Sequence, residues 1–462
     1  MHPPLRITPG TSRRSRLDVA LWIMPMAFVL GALVLAVLTD RIDQWMADSG
    51  RTMPWLLDRG DVDDLRVLTG TVAGASITTL ALVLSLTMVV LSNASTQFGP
   101  RLVRSFLRSR VTKVTISVFT GLFVYSILVL DSASATGQAD RPVDGRFLPE
   151  VGGTVVLVGS IAAVSCLIWY LHHITSSIQL SALVAAVVSD LDEAVLRVGE
   201  PLHDAGSAHG ARSADDLRTA WESMSAGVEA DGVEIETARS GYVQLIERRP
   251  LVDAAVAAGG VVQMVVRAGD FVVEGQTIAR VHPPSAAAAL AEACAKRIDV
   301  GPHRTLDQDL QLAVDQVVEV ALRALSAAVN DTFTGLTCLD WLAEALITLS
   351  SATLGRTVHA DASGAPRLVE RQHSYAGIVN SAYEKIRQAG VDNPAVTIRL
   401  MESIGRVADV VVDPAARAAL GRQADACFAA SAPRHVELDR EALTGRYVDV
   451  CRRLDRQPLV AG

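Results

Sequence analysis

The chain has 462 residues, of which 50% are hydrophobic and only 20% charged, and its mean hydropathy is +0.31. Soluble chains carry roughly a quarter charged residues, so part of this one is expected in lipid. A net charge of −8, with no basic tail and no nucleic-acid motif, argues against nucleic acid as a partner.

Residues 1–16 form a basic arm with Arg6, Arg13, Arg14 and Arg16 and no acid. Four stretches then reach the roughly 20 apolar residues that a membrane helix needs. The first is Leu17 to Thr39, with Pro25 predicting a kink. It is too long for a signal peptide and lacks a small-x-small cleavage site, so it is expected to be a retained anchor. The second is Val67 to Leu91, and the third is about Val111 to Leu130, where Lys113 must snorkel. The fourth starts at Val151 and stays uncharged through Ser189, apart from His172 and His173.

Charge orients these spans. The arm and the loop with Arg101, Arg104, Arg108, Arg110 and Lys113 are basic. The other two loops are acidic or mixed; one holds Asp40, Asp43, Asp48, Asp58, Asp61, Asp63 and Asp64, the other Asp131, Asp140, Asp144 and Glu150. Positive residues stay inside, so both termini are expected in the cytoplasm of a multi-pass inner (plasma) membrane protein.

The second span carries Thr71, Thr78, Ser85 and Ser92 at intervals of seven, with Gly70 and Gly74 beside them. Seven residues fall about 20° short of two helical turns, so the four share one slowly drifting stripe. Two readings stand. Such residues let membrane helices pack closely, or they line a watery wall for an ion or small solute. A lipid-facing row is the least favoured, since only its own helix would satisfy the hydroxyls. The span interiors hold no Asp, Glu, Lys or Arg, which argues against a proton-coupled pump. Conduction would then be passive and would need several subunits.

Between spans two and three, Arg101, Arg104 and Arg108 alternate with Leu102, Val103, Phe106 and Leu107. This reads as an amphipathic helix on the inner leaflet with its arginines near lipid phosphate; an anion-attracting vestibule is the alternative. After span four the apolar spacing continues to Gly199–Pro201 and predicts a helical stalk over 175–200. Residues 201–231 read as a linker and short helix. Residues 232–284 alternate like strands, and "VVRAGDFVVEGQTIARV" resembles half of a biotinyl/lipoyl-type β-sandwich. No lysine stands at a modification turn, so a swinging-arm carrier is excluded.

Residues 285–462 read as helical. Thr305 is the expected N-cap of a helix whose apolar face is Leu310, Val314, Val317, Val318 and Ala321, with Asp307 and Asp309 in its first turn. The helix breaks at "AVNDTFTG". Asn330, Asp331, Thr332 and Thr334 form the densest polar cluster there, either capping the next helix or contacting a ligand or metal. Further helices are predicted at about His373–Gln388, Pro394–Val411, Pro414–Ala430 and Arg434–Leu454. The i, i+4 acid pairs Asp315/Glu319 and Asp340/Glu344 read as solvated faces, and the five cysteines as buried thiols without ligand spacing.

The motifs "QFGPRLVRSFLRSR", "HHITSSIQLSALV", "SGYVQLIE", "AGDFVVEGQTIA" and "RTLDQDLQLAVDQVVEVALRALSAAVNDTFTG" follow the second span in one order. Together they resemble a family of bacterial predicted membrane proteins filed as a domain of unknown function, over about residues 15–430. The resemblance implies an integral inner-membrane protein and brings no reaction or ligand. That family often has proline after the Asn-Asp pair, where Thr332 stands here.

The expected fold class is therefore an α-helical membrane protein: four transmembrane helices over 17–174, then a mixed cytoplasmic region with a small β-sandwich-like module followed by an α-helical domain. No catalytic motif is present, so no enzyme and no cofactor is expected. Two functions remain. One is a homo-oligomeric passive channel gated by its cytoplasmic part. The other is a membrane-anchored scaffold or sensor that does not conduct. The expected partners are the lipid bilayer, further copies of the chain, and an ion or small solute.

Overall fold

The computed structural model describes residues 4–9, 23–49, 62–98, 110–136, 150–177, 214–350, 356–371 and 373–459. The chain divides into two units, residues 16–182 and residues 1–15 with 183–462.

The first unit is a bundle of four long apolar helices: α1 (Ile23–Asp48), α2 (Val62–Phe98), α3 (Arg110–Thr136) and α4 (Glu150–Ser177). Each contains a stretch long and apolar enough to cross a bilayer. All four continue past the expected lipid-spanning cores. α1 runs on beyond Thr39, so Asp40 and Asp43 lie on its last turns instead of in a loop. α3 is the central helix and packs against the other three. Close approach is made by glycine: a side chain at Gly153 would collide with Leu65 of α2, and one at Gly121 would touch Phe28 of α1 at 3.4 Å. Pro25 is the third residue of the described α1.

The second unit begins with a strand that precedes the first membrane helix. β1 (Leu5–Ile7) joins β2 (Val233–Thr237), β4 (Val261–Met264), β6 (Thr277–His282), β8 (Arg356–Ala360) and β9 (Pro366–Arg371) in a six-stranded sheet of order β1-β2-β6-β4-β9-β8. β1 runs parallel to β2, and β9 parallel to β4. A second sheet of order β5-β3-β7 contains β3 (Gly241–Ile246), β5 (Phe271–Val272) and β7 (Ile298–Gly301). The core between them is aliphatic, with Ile235, Val243, Ile278, Val281 and Ile298 fully buried. The expectation of strand-like alternation throughout "ERRPLVDAAVAAGG" fails: α6 (Arg248–Ala257) lies there, its alanines favouring helix. α5 (Ala214–Asp231) and α7 (Ala287–Arg297) complete this half, with Trp221 of α5 buried against Val261 and Val369.

Helices α8 (Leu310–Ala324), α9 (Thr332–Ser350), α10 (Tyr375–Ala389), α11 (Pro394–Ala408), α12 (Pro414–Ser431) and α13 (Glu437–Arg453) form the helical half. The expected apolar face of α8 is buried throughout. Its N-cap is Asp309, which accepts the Leu312 N–H at 3.2 Å, and not Thr305. The hairpin β8–β9 inside this half was not expected. The fold class is thus an α-helical membrane bundle followed by a region of mixed sheet and helix.

Candidate functional site

The hydroxyl row lies on the outer face of the bundle. Thr71, Thr78, Ser85 and Ser92 are all exposed on α2, and a side chain added at Gly70 or Gly74 would meet nothing within 4 Å. The Thr71 hydroxyl donates to the Val67 carbonyl at 2.6 Å, and that of Thr78 to Gly74 at 2.8 Å. The seam that α2 does use within its bundle has the same period, two residues earlier. Thr69, Ser76, Val83 and Val90 are buried, with exposures of 0%, 3%, 2% and 9%. Two residues are about 200° of helix rotation, so the two rows stand on opposite faces. α3 contributes further packed hydroxyls: Thr115, Ser117 and Ser126 are fully buried. Across α2 and α4, Thr87 Oγ1 and Tyr170 Oη are 2.7 Å apart.

One end of the bundle holds a polar cluster that composition did not reveal. The buried Asp43 carboxylate accepts the backbone N–H groups of Val151 at 2.9 Å and Gly152 at 3.2 Å. It thereby closes the first turn of α4, where donors have no partner within their own helix. Nearby, Tyr125 Oη donates to Thr39 Oγ1 at 3.1 Å, Ser132 to Asp40 at 2.9 Å, and Arg66 to the Ala133 carbonyl at 3.1 Å. The signal available in the sequence was the i, i+3 pair Asp40 and Asp43, which reads as loop once the span is ended at Thr39.

The expected inner-leaflet arginines Arg101, Arg104 and Arg108 lie outside the described residues, as does most of the expected stalk. The Asn330–Thr334 cluster sits at the turn between α8 and α9. Asp331 caps α9 by accepting the Thr334 N–H at 3.1 Å and its hydroxyl at 2.6 Å, and these bonds hold its carboxyl below the usual range. Asn330 takes a left-handed conformation (φ 49°), and Asn393 donates to Thr332 Oγ1 at 3.1 Å. Phe333 is 83% exposed beside them. Of the acid pairs, Asp315 accepts from Arg304 at 2.7 Å, and Asp340 from Arg399 at 3.1 Å and Arg406 at 2.7 Å. Among the described residues no three His, Cys, Asp or Glu side chains are grouped to hold a metal. Cys294, Cys338, Cys427 and Cys451 are buried, and burial pushes the Cys294 and Cys338 thiols up to about 12.

Two buried ionic clusters tie the second unit together. Arg304 forks onto Asp309 (Nε–Oδ2 2.6 Å, Nη2–Oδ1 2.9 Å), while His373 Nε2 lies 3.5 Å from Asp309 Oδ1. Burial works to raise the Asp309 pKa, but His373 and Arg304 outweigh it and hold it below the usual range. Gly269 (φ 94°) turns directly against this carboxylate, where any side chain would collide. Asp309 thus joins the β4–β5 turn to the start of α8. In the second cluster Glu370 meets Arg248 at 2.7 Å and His359 at 3.0 Å. Burial again opposes ionisation of Glu370, and these partners overcome it.

Four lipid-length helices joined to a sheet-and-helix unit define an integral membrane protein with a large non-membrane part. The chain belongs to the family described as "Predicted membrane protein (DUF2254)", whose model matches residues 19–406. It is also similar to Uncharacterized protein Rv1290c of Mycobacterium tuberculosis (strain H37Rv) and Uncharacterized protein Mb1321c of Mycobacterium bovis. Each is 28% identical over 412 residues, covering 88% of this chain and 75% of the relative. No solved structure gives a significant match to the chain.

Proposed function

We propose that the bundle assembles with further copies of itself in the plasma membrane into a passive channel for an ion or small solute. Thr71, Thr78, Ser85 and Ser92 line the shared wall, and the second unit gates it, without catalytic chemistry of its own. The observation that carries this reading is the outward position of the row. α3 fills the centre of the bundle, so a path within one copy has no room, and a wall between copies is where an outer hydroxyl face would serve.

A pairing supports the proposed orientation: β1 bonds to β2, which fits residues 5–7 and 233–237 on one side of the membrane with an even number of crossings between them. Four helices meet that requirement, and the basic arm and basic 101–113 loop support the cytoplasmic side.

A second reading, a membrane-anchored scaffold or sensor, is favoured by one detail. Thr71 and Thr78 satisfy their hydroxyls on their own helix, so the row can face lipid at small cost.

The test is cysteine substitution of Thr71, Thr78 and Ser85 in a Cys166→Ser background, with a water-soluble thiol reagent. Labelling at all three, together with conductance of the purified protein in a planar bilayer, is the expected result. Silence at all three and no conductance would leave the scaffold.

A further inference from the structure

The N-terminal strand is an unusual part of its sheet. β1 has three residues, pairs on one side only, and lies some 230 positions from its partner. Its register sets Leu5 against Ile235, Arg6 against Glu236 and Ile7 against Thr237. Ile7 is its one buried apolar anchor, at 6% exposure, and its carbonyl accepts the Ala238 N–H at 2.7 Å. The Arg6–Glu236 pair spans 3.4 Å with the arginine largely exposed, an arrangement that contributes little. Removing β1 would leave β2 still bonded to β6 and the other five strands in place. Residues 8–22 lie between this strand and the described start of α1.

A short parallel edge strand with one buried anchor, its Leu5 only partly buried against the same core, is the kind of element that opens alone, well before the unit around it unfolds. We propose that β1 is a releasable latch between the first membrane helix and the second unit. Docked, it covers the β2 edge; released, it uncovers that edge, so a change at the start of α1 is felt at the sheet. The proposal does not depend on whether the bundle conducts.

The experiment uses the full chain in lipid nanodiscs and hydrogen–deuterium exchange read at 233–237 and 261–264. In the unaltered protein, amides of β2 exchange at least tenfold faster than those of the central strand β4. Ile7→Asp speeds β2 exchange a further tenfold and leaves α11 unchanged. The pair Arg6→Cys with Glu236→Cys, oxidised in the Cys166→Ser background, forms a disulfide within one chain and slows β2 exchange until reductant is added. An environment-sensitive fluorophore at Ile23→Cys, in that background without the pair, shifts its emission with Ile7→Asp. Three outcomes would overturn the proposal. β2 exchanges as slowly as β4 and ignores Ile7→Asp; Ile7→Asp speeds exchange across 233–301 as a whole; or the disulfide joins two chains. An unmoved fluorophore alongside a released strand would overturn the coupling to α1.

Discussion

Asp43 accepts the Val151 N–H at 2.9 Å, so the end of one membrane helix caps the beginning of another. Both bonded N–H groups belong to the first turn of the described α4, where a lost acceptor leaves them without a partner in their own helix. Asp43→Ala is expected to destabilise the detergent-solubilised bundle by about 1–3 kcal/mol. Asp43→Asn keeps an acceptor oxygen and is expected to lose less. Thermal unfolding followed by circular dichroism distinguishes the two.

The glycines of the bundle make opposite predictions. Gly153→Leu forces a side chain into Leu65 and is expected to cost about 1–3 kcal/mol in any assembly state. A Cβ at position 74 meets nothing within 4 Å in its own protomer, so with Gly74→Leu the dissociated protein should keep its thermal midpoint. If copies meet along the row, the same variant loses the oligomer in size-exclusion chromatography with light scattering.

Arg304→Ala strands the buried Asp309 carboxylate, which is 1% exposed. Breaking one partner of a buried pair typically costs about 3–5 kcal/mol, and the loss should appear as a lowered denaturation midpoint of the second unit. Arg304→Lys retains the charge but not the two-pronged contact, and is expected to recover only part of it.

Acid should weaken the β8–β9 hairpin. Burial tends to raise the Asp361 pKa, but Ser363, Arg367 and the Ala365 N–H bring it down from 3.8 to about 2. Glu370 is likewise lowered from 4.5. A carboxylate depressed in the folded state contributes fully above its unfolded pKa, and that contribution is lost as pH falls through the folded value. Stability should therefore decline from about pH 4.5 toward about pH 2. Asp361→Asn should lower stability at neutral pH and flatten the acid limb, as measured by unfolding midpoints across that range.

The membrane half was largely legible because lipid demands long uncharged runs, and such runs are visible in a single sequence. Helix ends were not, since α1 continues past the lipid-length core and carries Asp40 and Asp43 with it. The hydroxyl row was legible as a period but not as a side. Thr69–Ser76–Val83–Val90 and Thr71–Thr78–Ser85–Ser92 share the period, and only packing against α3 and α4 separates the buried row from the exposed one. The hairpin β8–β9 escaped because its buried positions include His359 and Glu370, which break apolar alternation where a strand would otherwise announce itself. Asp309 looked like a first-turn acid because its partners, Arg304 apart, come from distant segments: Gly269 and His373.

The parallel pairing of β4 with β9 sets a rule for dissecting this protein. The two strands lie about a hundred positions apart, with α8 and α9 spooled out between them. Truncation anywhere between residues 301 and 366 would strip β4 of a neighbour and turn this central strand into a raw hydrogen-bonding edge. Fragments meant to isolate the sheet from the helices should therefore precipitate, whereas fragments ending beyond residue 371 keep the sheet whole.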